Sequence, residues 1–266
     1  MLVAKTVQSD SLARRLHLTL PADGCRDNAQ TVLASGITQR TRYQARSKFI
    51  ADNQEFRDWY IASDSQFLCI NGNFEQDSFS PTAFLASMIV DGFKSNPQDV
   101  LCLPFFCGLH TDTILCDDVE VSGPTLLLRT LIAQILCLSD MDDKQYLSFL
   151  TEEKVEEMED MSKETYLDVL KQLIRCLMQE YKAVFIVLDG VEFYDSGKNR
   201  SWMKKVMKHL ARMTREEAGV GGSLKVLMMA SSYCSIFSRE SGLEALDIPE
   251  EIECDGEGYE SLGELS

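Results

Sequence analysis

The sequence predicts an α/β domain in three layers, with a mainly parallel, five-stranded sheet and helices on both faces. Three observations carry that expectation. Ala183 to Leu188 (AVFIVL) is an unbroken apolar run, which only a strand covered on both faces tolerates. Ser162 to Tyr181 keeps its apolar residues at helical spacing, through Tyr166, Val169, Leu170, Leu173, Ile174, Leu177 and Met178. Strand-like and helix-like stretches alternate along most of the chain, the pattern of right-handed βαβ crossovers.

Taken in order, residues 1–39 show no sustained period and several turn residues. They read as an N-terminal arm, partly disordered. Arg40 to Ser63 places Tyr43, Phe49, Ile50, Phe56, Trp59 and Tyr60 at helical spacing, a lead-in helix over 40–63. Phe67 to Ile70 is a strand closed by the turn Asn71-Gly72-Asn73. Ser80-Pro81 starts a helix, serine as N-cap and proline at the first helical position. Asp99 to Cys107 is a second strand, and Pro104, lacking an amide hydrogen, places it at a sheet edge. Ser122-Gly123-Pro124 opens a buried helix, Thr125 to Leu138. Residues 140–165 are dense in acid, either a solvated connector or surface helix, or a face for a basic partner. After the helix at Ser162 and the strand at Ala183 come a helix over Ser201 to Arg215 and a buried strand over Leu224 to Ala230. A short fifth strand, Leu243 to Ile248, stops at Pro249. The domain is thus expected over 40–249. The tail from 250 to 266 holds seven acids in 17 residues and reads as disordered.

Composition excludes several classes. The chain has 266 residues, 42 acids against 26 Lys and Arg, and a net charge of -16. Phosphate binding needs a concentrated basic footprint, so no nucleic acid is expected, and an anionic membrane would repel the chain. No apolar run is long enough to span a bilayer, and the first 20 residues lack the core of a secretory signal. Nine cysteines, an odd number lying mostly in apolar runs, fit free thiols in a reducing, cytoplasmic setting. Cys102, Cys107, His110 and Cys116 are close in sequence but form no C-x-x-C knuckle. They read as core and loop residues rather than a zinc site.

In parallel sheets ligands bind beyond the carboxyl ends of the strands. Asp189 stands there, at the tip of the most apolar strand, followed by Gly190, Val191 and Glu192. A carboxylate in that place needs a cation or hydrogen-bond donors. It is a candidate magnesium ligand with Glu192 beside it, or a turn cap.

The order of these pieces resembles the NACHT-type, STAND-class P-loop NTPase domains abundant in filamentous fungi. The lead-in helix with Phe56 and Trp59, the strand Phe67 to Gly72, the helix Leu127 to Leu136, the strand Val184 to Glu192 and the strand Lys225 to Ser232 all have counterparts. The resemblance implies a Walker B aspartate at Asp189 and a phosphate loop at Gly72. It places Gly72, Asn73, Ser78, Asp189 and Glu192 at a nucleotide site, with Asp189 toward the metal. The departures are specific. A phosphate loop reads G-x-x-x-x-G-K-[ST], and from Gly72 this chain reads Gly-Asn-Phe-Glu-Gln-Asp-Ser-Phe. Ser78 stands where the lysine belongs, and no lysine occurs between Lys48 and Lys94. Glu75 and Asp77 bring negative charge where the family supplies positive. Two like charges 4 Å apart repel by roughly 4 kcal/mol at an effective dielectric near 20. Phe193 replaces a second Walker B acid.

The expected function is therefore a degenerate NACHT-like domain. It would act as a regulatory or protein-interaction module with weak or no nucleotide binding, so no cofactor and a protein partner. Two alternatives stand beside it. One is an active switch that binds ATP or GTP with Mg2+, gripping phosphates through Arg40, Arg42 or Lys225. The other is an acidic scaffold that recruits a basic partner through 140–165.

Overall fold

The computed structural model describes residues 9–16, 22–38, 40–95, 98–111, 114–116, 119–121, 123–137, 146–160, 162–216, 221–238 and 243–252. Its centre is a five-stranded sheet of β1 (Gln66–Asn71), β2 (Val100–Phe106), β5 (Ala183–Asp189), β6 (Ser223–Ala230) and β7 (Ala245–Asp247). The order across the sheet is β2-β5-β6-β1-β7, and every pairing in it is parallel. A separate antiparallel pair, β3 (Ile114–Cys116) and β4 (Val119–Val121), lies between β2 and the next helix in sequence.

Side chains alternate across the central strands, as the two-residue strand period requires. Val184, Ile186, Leu188, Leu224, Val226 and Met228 face one core. Phe185, Val187, Leu227 and Met229 face the other. The first core is closed by α1 (Ser9–Arg15), α6 (Gly123–Leu136), α7 (Glu152–Glu159), α8 (Lys163–Glu180) and α9 (Gly197–Glu216). The second is closed by α2 (Ala22–Thr38), α3 (Arg40–Asp52), α4 (Gln54–Ile61) and α5 (Pro81–Gly92). This is the three-layer, P-loop-like arrangement expected from the sequence. The strand with Pro104 lies at the sheet edge as the missing amide requires, and the Pro104 carbonyl accepts from Gln134 Nε2 of α6 at 3.0 Å.

Two expectations change, and the acidic stretch holds a helix. The lead-in helix over 40–63 is two helices, because Asn53 adopts extended backbone and its side chain accepts from the Glu55 amide, starting α4 afresh. The described part of residues 1–39 is helical and packed. Leu12 and Leu16 are buried against the α6 side, and Ala29 and Val32 against α5 and the sheet. The acidic stretch contains α7, whose Val155 and Met158 are buried, with Tyr146, Leu147 and Leu150 just before it. Residues 140–145 and 161, and the tail beyond Ile252, lie outside the described residues.

Helix α2 crosses α5 at very close range. A β-carbon on Gly36 would stand 2.0 Å from Cδ2 of Phe84, itself buried. Alanine in place of a mid-helix glycine ordinarily stabilises by about 1 kcal/mol. Here overpacking reverses the sign, and Gly36→Ala is expected to cost roughly 1–3 kcal/mol in urea unfolding. Phe84→Leu should recover part of that loss in a double-mutant cycle. A stabilising Gly36→Ala would contradict the docking of α2.

Candidate functional site

The carboxyl ends of all five parallel strands meet along one edge, at Asn71, Phe106, Asp189, Ala230 and Asp247. The loop from Gly72 to Ser80 lies over that edge, and its backbone is tied down by the chain itself. The Gly72 amide donates to the Ala230 carbonyl at 2.8 Å and the Phe74 amide to the Ser231 carbonyl at 2.7 Å. These bonds carry the β1–β6 ladder past the end of the strand. A β-carbon on Gly72 would sit 2.8 Å from the Ser231 oxygen, so the close approach of β6 accounts for this glycine. Asn73 takes a left-handed backbone (φ 54°) and its side chain donates to the Ile248 carbonyl. The ring of Phe74 lies 4.0 Å from the guanidinium carbon of Arg46, a cation–π contact.

Further along the loop, the Phe79 amide donates to the carboxylate of Asp77 at 3.0 Å. Ser78 Oγ donates to the Gly108 carbonyl at 2.8 Å, which turns it onto the β2 end. Ser80 caps α5 by accepting from the Ala83 amide, and its hydroxyl lies 2.9 Å from that of Thr82. Pro81 then supplies no amide hydrogen to this helix start.

Beneath the loop sit the two acids. Asp189 is 3% exposed and bonded by the Thr82 hydroxyl, and its Oδ1 has no partner among the described residues. Glu192, on the turn Val191–Tyr194, accepts from both the amide and the hydroxyl of Ser231 through Oε1, while its Oε2 is likewise unpartnered. Burial pushes both carboxyls above the usual carboxylate range, and for Asp189 the neighbouring Glu192 adds to the effect. The αL glycine Gly190 (φ 71°) makes the turn that brings Glu192 back beside Asp189.

Of the five predicted site residues, Asp189 and Glu192 come together, while Gly72 and Asn73 are engaged with β6 and the segment after β7, and Ser78 with the β2 end. Two contributors lie outside those five, Thr82 and the strand-end serine Ser231. Thr82 reaches Asp189 from the first turn of α5, and the Ser80-Pro81 helix start was the only signal locating it. Ser231 reaches Glu192 from the end of β6. The phosphate-gripping role considered for Lys225 is overturned by position. Lys225 pairs in register with Gln66 and Phe185, at the amino ends of the strands. It is 1% exposed, its Nζ donates to the Trp59 carbonyl at 2.9 Å, and burial lowers its pKa to about 8. The side chains of Arg40 and Arg42 lie outside the described residues.

No group of three or more His, Cys, Asp or Glu among the described residues is arranged to hold a metal. Cys102 and Cys107 pack into opposite cores. His110 stacks on Phe105 with ring centres 4.9 Å apart and its Nε2 is 3.0 Å from Asn28 Nδ2. The side chain of Cys116 lies outside the described residues. One cavity, of about 720 Å³, opens at the other end of the sheet, between Glu55, Asp58 and Trp59 of α4, Gln66 of β1 and Arg215 of α9. No described helix is long and apolar enough to cross a membrane.

No curated protein and no solved structure matches the chain significantly. The family described as Nephrocystin 3, N-terminal, matches residues 46–230, from the middle of α3 to the last residue of β6. With more than two thirds of its 266 residues inside that match, the chain belongs to the nephrocystin 3 N-terminal family.

Proposed function

We propose that this chain is a NACHT-like domain that has lost its phosphate cradle and works as a regulatory or protein-interaction module in the cytoplasm. The observation that carries the reading is the loop after β1. A phosphate loop turns free backbone amides toward its ligand. Here the amides of Gly72, Phe74 and Phe79 are bonded to Ala230, Ser231 and Asp77. Phe74 lies against Arg46, and the exposed acids Glu75 and Asp77 face solvent where a phosphate would arrive. The residues present do not fit a triphosphate: among the described residues no lysine reaches the loop, the amides of Gly72, Phe74 and Phe79 are engaged, and the loop's own charged side chains, Glu75 and Asp77, are acidic. Phosphoryl transfer depends on positioning and charge stabilisation, and this loop supplies neither.

A second reading has one specific support, the unpartnered Asp189 Oδ1 and Glu192 Oε2. Two buried carboxylates with open oxygens suit a small divalent cation held with water. In that reading the domain keeps half of a nucleotide site as a cation-stabilised turn.

Calorimetric titration of the chain with Mg-ATP and Mg-GTP should give no saturable heat, and micromolar binding of either would overturn the first reading. Asp189 supplies an independent check. Its pKa is raised in the folded state, so folding is favoured while it is protonated. That advantage is lost as pH rises from the unfolded value near 4 through the folded one. At pH 8 Asp189→Asn should therefore be the more stable protein, and the difference should shrink toward pH 4. A variant less stable at every pH would contradict the burial of an uncompensated charge. Added Mg2+ that raises the melting temperature of the wild type, but not of Asp189→Asn, would favour the cation reading.

A further inference from the structure

The net charge of -16 conceals one strongly basic surface. Helix α9 carries Lys198, Arg200, Lys204, Lys205, Lys208, Arg212 and Arg215 against a single acid, Glu216. Its inner side is apolar, with Trp202, Met203, Val206, Leu210 and Met213 buried. The cations therefore lie on the outer side. Lys204, Lys208 and Arg215 follow one another at intervals of four and seven residues, which aligns them on one stripe about 16 Å long. Arg200 pairs with Asp195, Lys205 with Glu164 and Arg212 with Glu216. Among the described residues Lys204, Lys208 and Arg215 have no partner.

This arrangement works against the helix that holds it. Like charges four residues apart, such as Lys204 and Lys208, destabilise a helix by a few tenths of a kcal/mol. Lys198 and Arg200 add positive charge near its amino end, where the dipole disfavours cations. Arg200, Lys205 and Arg212 answer acids of the fold, but among the described residues no contact of α9 calls for Lys204, Lys208 and Arg215.

We propose that the outer face of α9 is a docking surface for an acidic segment of a partner protein, whose carboxylates pair with Lys204, Lys208 and Arg215. It rests on the interaction-module reading only in expecting a protein partner. Charge complementarity selects acid. A polyphosphate chain is disfavoured because it needs a longer basic footprint than three open cations in a molecule of net charge -16 supply. A lipid surface is disfavoured because none of the exposed large apolar residues, Ile37, Phe49, Ile61 and Tyr233, lies on α9. A second copy of this chain is disfavoured because each copy carries a net charge of -16, which opposes self-association.

The test is fluorescence anisotropy of a short labelled peptide of alternating glutamate and serine against the chain at low ionic strength. Binding is expected, weakening about tenfold toward physiological salt as surface charges are screened. It should be lost in Lys204→Glu/Lys208→Glu/Arg215→Glu and kept in Lys204→Arg/Lys208→Arg, with circular dichroism confirming that each variant is folded. Should the charge reversal unfold the protein, the glutamine triple variant takes its place and is expected to weaken binding severalfold. The proposal is overturned by absence of peptide binding or by unchanged binding in the triple variant. Tighter binding of a single-stranded oligonucleotide or of phosphatidylserine vesicles overturns it too, as does salt-sensitive self-association that the triple variant abolishes. Nucleotide binding in the calorimeter would remove the interaction-module reading without altering any of these outcomes.

Discussion

Burial of β5 and β6 on both faces is the constraint from which the remaining architecture follows. Every residue of β6 and all but the first of β5 are buried. Neither strand can then present a polar side chain to water, and helices must cover both sides. Parallel pairing makes each connection a crossover long enough to hold such a helix. The same burial decides the electrostatics at the strand ends. Asp189 continues the apolar run and is drawn under the Gly72–Ser80 loop, where it is bonded by Thr82 and its Oδ1 has no partner among the described residues. Lys225 shows the constraint at the opposite end: its stem is sealed in the core and its ammonium depends on the single carbonyl of Trp59.

Much of this fold was legible because buried strands and amphipathic helices write their periods in side-chain type. The runs at Ala183 and Leu224 and the apolar spacing of Ser162 to Tyr181 needed no tertiary information. The Pro104 strand was placed at an edge by one missing donor. Helices α1 and α2 were not legible, because they dock through few large side chains. Leu12 and Leu16 anchor one, and a bare glycine against Phe84 seats the other. The break at Asn53 was hidden by an apolar period that continues across it; only the cap reveals that the helix restarts.

The site divides in the same way. Asp189 and Glu192 could be named from the strand tip and the acidic turn. What the Gly72 loop does could not, because its decisive bonds join backbone to backbone between positions roughly 160 residues apart in sequence. Such bonds leave no mark on residue type, and the same glycine serves a phosphate or a neighbouring carbonyl. The basic side of α9 was missed for a different reason: a whole-chain sum averaged it against acids elsewhere. Some of those acids are already satisfied within the molecule. Arg15 from α1 joins Glu152 and Glu159, and Lys154 joins Asp168, so the acidic stretch is in part an internal fastening for the N-terminal helix.

The bonds from Gly72 and Phe74 to β6 also bear on how this surface can change over time. A lost lysine is reversible by a single substitution, and a lysine at position 78 would restore the positive charge. It would not release the amides, which are held by the carbonyls of Ala230 and Ser231, nor lift Phe74 from Arg46. Several coordinated changes in the loop and in β6 would be needed together, each unfavourable alone because it would leave a buried donor or acceptor unpaired. The loop thus behaves as a ratchet. Once its backbone had zipped onto the neighbouring strand, drift in sequence could alter its surface freely while the way back to an open cradle stayed closed.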